Sequence, residues 1–268
     1  MFIEEKFIQF LHALQLHRRL PRGTHSRVHE SDHQRTHEIF QTSTINALLE
    51  GVFDGDMTYG QLREHGDFGL GTFNALDGEM IAFDGMFFQI KSDGTASLVD
   101  DAQQTPFAVV QFFEPEVARG LDRAMDYAQL KAYLHTLIPS TNFFYAIRID
   151  GLFTYMKTRS VPRQTKPYPP LIEITKTQPV FEFSDVSGTL VGFCFPDYAQ
   201  GINVPGYHLH FLSEDRKAGG HILDCRVQRG TVRVEHTSNF HMELPTQGTF
   251  LGADLSKDQR ETLHRAEE

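Results

Sequence analysis

Three histidines are spaced as metal ligands. His208 and His210 lie two apart in GYHLHFLS, and His221 follows in GHILDC. Alternate residues of a strand point to one face, which places the first two imidazoles about 6.5–7 Å apart. If SEDRKAGG closes an antiparallel hairpin that pairs positions 210 and 221, His221 lies across from His210 on that face. Three neutral nitrogen ligands with an open coordination position are typical of catalytic zinc, so the pattern predicts a Zn2+ site.

Other interpretations of these histidines stay open at this point. In a chain with 14 histidines, alternation on an exposed strand also gives a His-X-His pair. The pair is followed by Glu214, as in the first cupin motif, which would suit a metal-dependent oxygenase or hydrolase on a β-barrel. The second cupin motif, with a proline and glycine before the last histidine, is missing. A non-catalytic dimeric binding module, stabilised by its metal, is a further alternative.

The composition of the chain limits the kinds of molecule that it is expected to bind. The chain has 25 basic and 35 acidic residues among 268, a net charge of −10, and no dense basic stripe, which argues against nucleic acid. A small anionic substrate would therefore need a local positive site. Glu4 and Glu5 occupy the place where a secretory leader needs positive charge, and no apolar run is long enough to span a membrane. The two cysteines suit a reducing compartment, so we expect a cytoplasmic protein with free thiols.

The N-terminal half mixes helices with a meander. Apolar residues at helical spacing predict a helix within residues 2–20, and the polar, histidine-rich 21–38 is predicted to be a flexible segment. A helix is expected from Ser43 to near Gly51, and Thr58 could cap another. Three Asp-Gly pairs predict hairpin turns between short strands. They are Asp77-Gly78, Asp84-Gly85 and Asp93-Gly94, between the strands TFNAL, EMIAF, MFFQI and ASLV.

Further along the chain, residues 106–113 predict a strand and 116–138 a helix. The strand YAIRIDG is expected to turn at Asp150-Gly151, and the proline-rich passage that follows to mark a domain boundary. Beyond it, residues 181–255 are almost purely β, and 253–268 predict a charged helix.

These patterns predict an α+β protein with a barrel-like second domain. We expect residues 1–40 to form an N-terminal helix and a flexible segment, and residues 41–165 to form a mixed β-sheet domain with helices. Residues 166–268 are expected to form a β-rich, barrel-like domain that carries the metal and ends in a helical tail.

From about Ser43 onward the sequence resembles the acetolactate decarboxylases. The resemblance rests on five passages: STINALLEGVFDGDMTYGQL, GDFGLGTFNALDGEMIAFDGMFFQI, PFAVVQFF, TRSVPRQTKPYPPL and PGYHLHFLSEDRKAGGHILDC. It implies a two-domain α/β fold whose N-terminal sheet pairs across a homodimer. It also implies that His208, His210 and His221 hold zinc. We expect no leader of the kind that secreted members carry, and the resemblance offers no role for residues 21–38.

The resemblance implies three further site residues: Glu79 in GEMIAFDG, Arg159 in KTRSVP, and Glu267 in a C-terminal tail that folds over the metal, with Glu268 adjacent. The implied reaction converts (S)-2-acetolactate to (R)-acetoin and CO2 through a metal-stabilised enediolate, in acetoin and butanediol formation. Arg159 would hold the carboxylate or the developing oxyanion, and the two glutamates would supply or relay a proton.

Overall fold

The computed structural model describes residues 37–267, which are rich in β-strands and contain few helices. The strands are β1 (Glu38–Thr42), β2 (Met57–Thr58), β3 (Phe68–Thr72), β4 (Glu79–Phe83), β5 (Met86–Ile90), β6 (Ala96–Leu98), β7 (Gln104–Thr105), β8 (Ala108–Gln111), β9 (Val117–Leu121), β10 (Met125–Asp126), β11 (Phe144–Arg159), β12 (Val180–Phe195), β13 (Gly206–Ser213), β14 (Gly219–Thr237) and β15 (Asn239–Glu243). The α-helices are α1 (Ile45–Leu49), α2 (Tyr59–Leu62), α3 (Tyr127–Leu137), α4 (Leu171–Thr175) and α5 (Arg260–Glu267). Short 3-10 turns span Asn74–Leu76, Asp197–Ala199 and Gly248–Gly252.

The first sheet has seven strands in the order β15-β1-β8-β3-β4-β5-β6. It is mixed, because β1 runs parallel to β15 while the other pairs are antiparallel. The hairpin between β4 and β5 turns at Asp84 and Gly85, whose φ angles of 52° and 71° are those that Asp-Gly favours. The predicted cap is also confirmed, because Thr58 forms a capping box on α2. The first helix, α1, is capped by Thr44.

The second sheet is built from long strands in the order β10-β14-β11-β12-β13, with β9 added to β14. β13 also pairs with β14, through His210 and His221, so β11, β12, β13 and β14 form a closed ring of pairings. This closing pair is the hairpin register expected from the sequence.

Apolar side chains from both sheets pack against each other, as Phe68 and Ile81 of the first sheet do with Phe193 and Leu212 of the second. A second core fills the space between the long strands and α3. The helices α1, α4 and α5 come together in a third cluster, which we call the helical cap. Its buried members are Ile45, Leu48, Leu49, Phe53, Leu76, Phe107, Val161, Leu171, Ile174, Val204, Leu263 and Ala266.

The helix predicted over 116–138 is wrong in its first half. Residues Val117–Leu121 form β9, which pairs antiparallel with β14, and the helix begins only at Tyr127 behind its cap Asp126. The apolar residues at helical spacing in the first half meet a neighbouring strand instead, because Leu121 is buried opposite Gly230. Tertiary pairing has overridden the local pattern here.

The turn predicted at Asp150-Gly151 is also wrong, because β11 runs straight through it. Gly151 lies between Gly188 and Gly230 of the neighbouring strands, where the three backbones approach closely. The Asp150 carboxylate is bound by Arg148, by Arg233 and by the Thr189 hydroxyl, so it stabilises an extended strand. TFNAL differs from its prediction as well: only Thr72 belongs to a strand, and residues 74–76 form a 3-10 turn.

The predictions for the two ends of the chain and for the domain boundary can also be compared with the structure. The C-terminal helix begins at Arg260 rather than near residue 253, and Glu38 already lies in β1. The helix within 2–20 and most of the 21–38 segment fall outside the described residues. Sheet membership does not change at residue 165, since β11 belongs to the second sheet and β15 to the first. The two-domain division and the barrel-like second domain stay predictions.

No helix within residues 37–267 is long and apolar enough to cross a membrane. Cys194 and Cys225 are free thiols, as expected.

Candidate active site and metal centre

The three histidines converge at the pair that closes the ring of strands. His208 and His210 leave the same face of β13, and His221 lies directly opposite His210 on β14. The ring centroids of His208 and His210 are 5.1 Å apart, and each lies 5.0 or 5.3 Å from that of His221. All three residues are buried, and one nitrogen from each lies within 4.8 Å of the others. This is the arrangement that a single cation requires.

The protonation of these rings suits a metal. Burial, with the nearby Arg159 cation, lowers the pKa of His208 to about 3. Burial also lowers the pKa values of His210 and His221 well below the usual range. The Nδ1 of His210 lies 2.8 Å from the carbonyl oxygen of Met80, a bond that requires the proton on Nδ1 and leaves the Nε2 lone pair facing the centre. That Nε2 has no hydrogen-bond partner, nor has the buried Nδ1 of His208. Neutral imidazoles with unpartnered nitrogens fit a divalent metal.

Glu79 reaches the histidines from the other sheet. It opens β4, is buried, and its Oε2 lies 3.6 Å from Nε2 of His210. Burial raises the pKa of the Glu79 carboxyl to about 8, against the opposing effect of Arg159. A carboxyl in this setting can hold a proton near neutral pH.

Arg159 supplies a buried cation beside the histidines. It ends β11 directly opposite His221, so His210, His221 and Arg159 form one row across three adjacent strands. The residue is 4% exposed, and Nη1 donates a hydrogen bond of 2.9 Å to the side-chain oxygen of Gln178. Its Nε has no partner. The guanidinium therefore has donors left for an anionic ligand.

Glu267 approaches from the C-terminal helix. Its Oε2 lies 3.7 Å from Nε2 of His208 and 3.6 Å from Nε2 of His221, and its Oε1 lies 3.9 Å from Nη2 of Arg159. Burial raises the pKa of this carboxyl, and Arg159 opposes the shift. The helix is fixed by Leu263 and Ala266, which are buried in the helical cap. Glu268, the other candidate for the tail carboxylate, lies outside the described residues.

A cavity joins these groups to an apolar wall. It is lined by Ile45, Leu48, Gly71, Thr72, Leu76, Glu79, Phe107, Arg159, Val161, Leu171, Thr175, His208, His210, His221 and Glu267. All six residues proposed from the sequence therefore meet at one place. Anionic, cationic and apolar groups that meet in one cavity suit a small carboxylate with alkyl groups.

Sequence reasoning missed the other residues that line the cavity, and it missed Gln178. Thr72 and Leu76 line the cavity, and Gln178 binds Arg159. Thr72 could have been found from the hairpin, because it pairs with Glu79 across β3 and β4. Gln178 had no such signal, since its contact depends on how the proline-rich loop returns to β12.

Glu214, the carboxylate ligand of the cupin-like alternative, is exposed in the turn between β13 and β14 and does not line the cavity. The oxygenase or hydrolase interpretation therefore loses the ligand on which it depended.

Comparison with known proteins matches this chain to one family. The alpha-acetolactate decarboxylase family profile matches residues 39–257. The chain is 52% identical over 267 residues to the alpha-acetolactate decarboxylase of Methylococcus capsulatus, covering 100% of both sequences. It is 46% identical over 222 residues to that of Bacillus subtilis, covering 83% of this chain and 87% of that protein.

Solved structures give the same result. The crystal structure of alpha-acetolactate decarboxylase from Bacillus subtilis matches with a TM-score of 0.84 at 44% identity, covering 86% of this chain and 99% of that one. Its β-rich architecture with few helices is shared by this protein. The chain belongs to the alpha-acetolactate decarboxylase family.

Proposed function

We propose that this protein is a zinc-dependent decarboxylase that converts (S)-2-acetolactate to (R)-acetoin and CO2. The observation that carries the proposal is the meeting of three neutral histidines, one buried arginine, one buried carboxyl and one half-buried carboxyl in one cavity. Family membership points to the same reaction. The product would enter acetoin and butanediol formation.

His208, His210 and His221 would hold the metal. A bound zinc ion would act as a Lewis acid on the substrate oxygens, which lowers the cost of the negative charge that develops in the reaction. The bond from His210 to the Met80 carbonyl fixes one ring in the orientation needed for binding.

Arg159 would bind the substrate carboxylate and orient its bond for cleavage. When the bond between the carboxylate carbon and C2 breaks, CO2 leaves. The two electrons of that bond remain on the substrate, which becomes an enediolate. The same guanidinium, buried and held by Gln178, can stabilise the oxyanion that forms. A fixed cation needs no reorganisation during the reaction, which is why its position matters.

Glu79 and Glu267 would donate or relay the proton that the product needs. The carbon that lost CO2 must gain one proton to give acetoin, and protonation on one face sets the chirality of the product. Glu79 is the stronger candidate for the donor, because burial raises the pKa of its carboxyl to about 8. The positive charge of a bound metal would bring that pKa down towards neutral pH, where a carboxyl can both hold and release a proton. Glu267, between the histidines and Arg159, would relay the proton or orient the substrate.

We also propose a homodimer in which the seven-stranded sheet pairs with that of a second copy. In support, β6 is an edge strand of that sheet, and Leu98 on it is 68% exposed. Light scattering on the purified protein tests whether its mass in solution is that of a dimer.

We propose a cytoplasmic location as well, and cell fractionation tests it.

Incubation with racemic acetolactate tests the reaction. The proposal expects (R)-acetoin and CO2 in equal amounts without oxygen uptake. Oxygen uptake would favour an oxygenase, and a folded protein that binds zinc but forms no acetoin would favour the non-catalytic module.

A further inference from the structure

The loop between β3 and β4 borders the cavity that contains His208, His210 and His221. Its two ends, Thr72 and Glu79, are paired across the hairpin, and both line the cavity. Leu76, near the middle of the loop, lines the same cavity and is 2% exposed. One short hairpin therefore contributes three residues to the site, among them a carboxyl and an apolar side chain.

The backbone of this loop is strained. Ala75 and Leu76 have φ angles of 61° and 53°, in the left-handed region that residues with a Cβ rarely adopt. Two successive residues of this kind without glycine are uncommon, because in this region the Cβ atom crowds the neighbouring carbonyl oxygen. The surrounding structure must therefore hold the turn in place.

Two neighbouring segments, residues 53–55 and the stretch around Gln164, hold the turn in place. The Ala75 amide donates a hydrogen bond of 2.7 Å to the Phe53 carbonyl, and the Gln164 amide donates one of 2.7 Å to the Ala75 carbonyl. The Asn74 side chain bonds both the amide and the carbonyl of Gly55, at 2.9 Å each. These bonds fix the direction in which Leu76 leaves the loop.

Leu76 completes an apolar wall opposite the charged groups. Its partners in that wall are Ile45, Leu48, Phe107 and Leu171, all buried in the helical cap. The substrate of the proposed function carries methyl groups beside its reacting carbons, and an apolar wall is where such groups bind. A rigid wall also limits how large they can be.

We propose that Leu76 determines substrate specificity by limiting the alkyl group at C2 of a 2-alkyl-2-hydroxy-3-oxo acid. The strained turn keeps the Leu76 side chain in the space that a longer alkyl group would occupy. This inference rests on the proposed function and concerns the choice of substrate.

The test compares kcat/KM for the C2-methyl, C2-ethyl and C2-propyl substrates in the wild type and in Leu76→Ala. We expect the propyl-to-methyl ratio to rise at least about tenfold, since a pocket discriminates by about tenfold or more per methylene. Leu76→Gly is the second variant, because glycine accepts the positive φ and so removes the side chain with less strain. Leu49→Ala is the matched control: Leu49 is a buried leucine of the helical cap that does not line the cavity.

An unchanged ratio in both Leu76 variants would overturn the inference, and so would an equal rise in Leu49→Ala. Loss of turnover on all three substrates in both variants would overturn it too, because Leu76 would then be a packing residue. Failure of the proposed function has a different signature, since the wild type would form no acetoin from the methyl substrate.

Discussion

Arg159 and His221 are directly opposed residues of neighbouring antiparallel strands. Opposed side chains have Cβ atoms about 4.5–5.5 Å apart, so a permanent cation stands beside a proposed metal ligand. The Arg159 charge helps to lower the pKa of His221, after burial, and keeps its ring neutral for metal binding. The same register gives the guanidinium a fixed position at the substrate cavity.

Arg159→Lys should lower kcat/KM about 100-fold, which corresponds to about 2.7 kcal/mol of transition-state stabilisation. Lysine keeps the charge but loses the planar fork that binds a carboxylate and Gln178 together. Steady-state kinetics and zinc analysis check this, and zinc content should be unchanged. Arg163→Lys, at a residue with a 66% exposed side chain, is the control. Wild-type kinetics in Arg159→Lys would contradict the role of the guanidinium.

His210→Ala should reduce bound zinc from about one equivalent to below a tenth of one, because a three-histidine site loses a ligand. Elemental analysis after dialysis measures this, and circular dichroism verifies the fold. His241→Ala removes an exposed histidine on β15 and should leave zinc unchanged. Full zinc content in His210→Ala would place the metal elsewhere.

Glu79→Gln and Glu267→Gln should each keep zinc but lower kcat, by about 100-fold or more at the proton donor. Both amides keep the shape of the side chain and remove the transferable proton. Glu261→Gln, on the exposed side of the same helix as Glu267, is the control and should match the wild type. If Glu267→Gln turns over normally, the C-terminal carboxyl has no part in the reaction.

Glu235 should make stability depend on pH. Its side chain is fully buried, and burial raises its pKa to about 8, although the Glu114 amide donates it a hydrogen bond. The folded state therefore keeps a proton that the unfolded state loses near its ordinary value of 4.5. The stabilising contribution is complete below that value and is lost as the pH rises towards 8, with a slope of up to about 1.4 kcal/mol per pH unit.

Urea unfolding of the wild type and Glu235→Gln between pH 5 and pH 8, about the interval set by those two pKa values, measures this effect. The variant should show a shallower decline. Glu243→Gln, at an exposed carboxylate of β15, should keep the wild-type slope. Equal slopes in the wild type and Glu235→Gln would show that Glu235 is ionised in the folded protein.

Local sequence signals predicted the metal centre better than the surrounding fold. The pairing of His210 with His221 was expected if SEDRKAGG closes an antiparallel hairpin in that register, and the structure has this pairing. The strand through Asp150-Gly151 could not be predicted, since the Asp-Gly turn signal is overridden by Arg148, Arg233 and Thr189 from three strands. The approach of Glu79 and Glu267 to the histidines depends on long-range packing that no spacing encodes. Only the family resemblance brought them into the site.

The central claim is that the metal at His208, His210 and His221 is required for decarboxylation. The direct measurement is acetoin formation from racemic acetolactate by the intact protein, by chelator-treated protein freed of metal, and by the same protein after one equivalent of zinc is returned. We expect turnover to fall at least about 100-fold on metal removal and to recover with zinc, while the fold is retained throughout. Undiminished acetoin formation by folded, metal-free protein would contradict the claim.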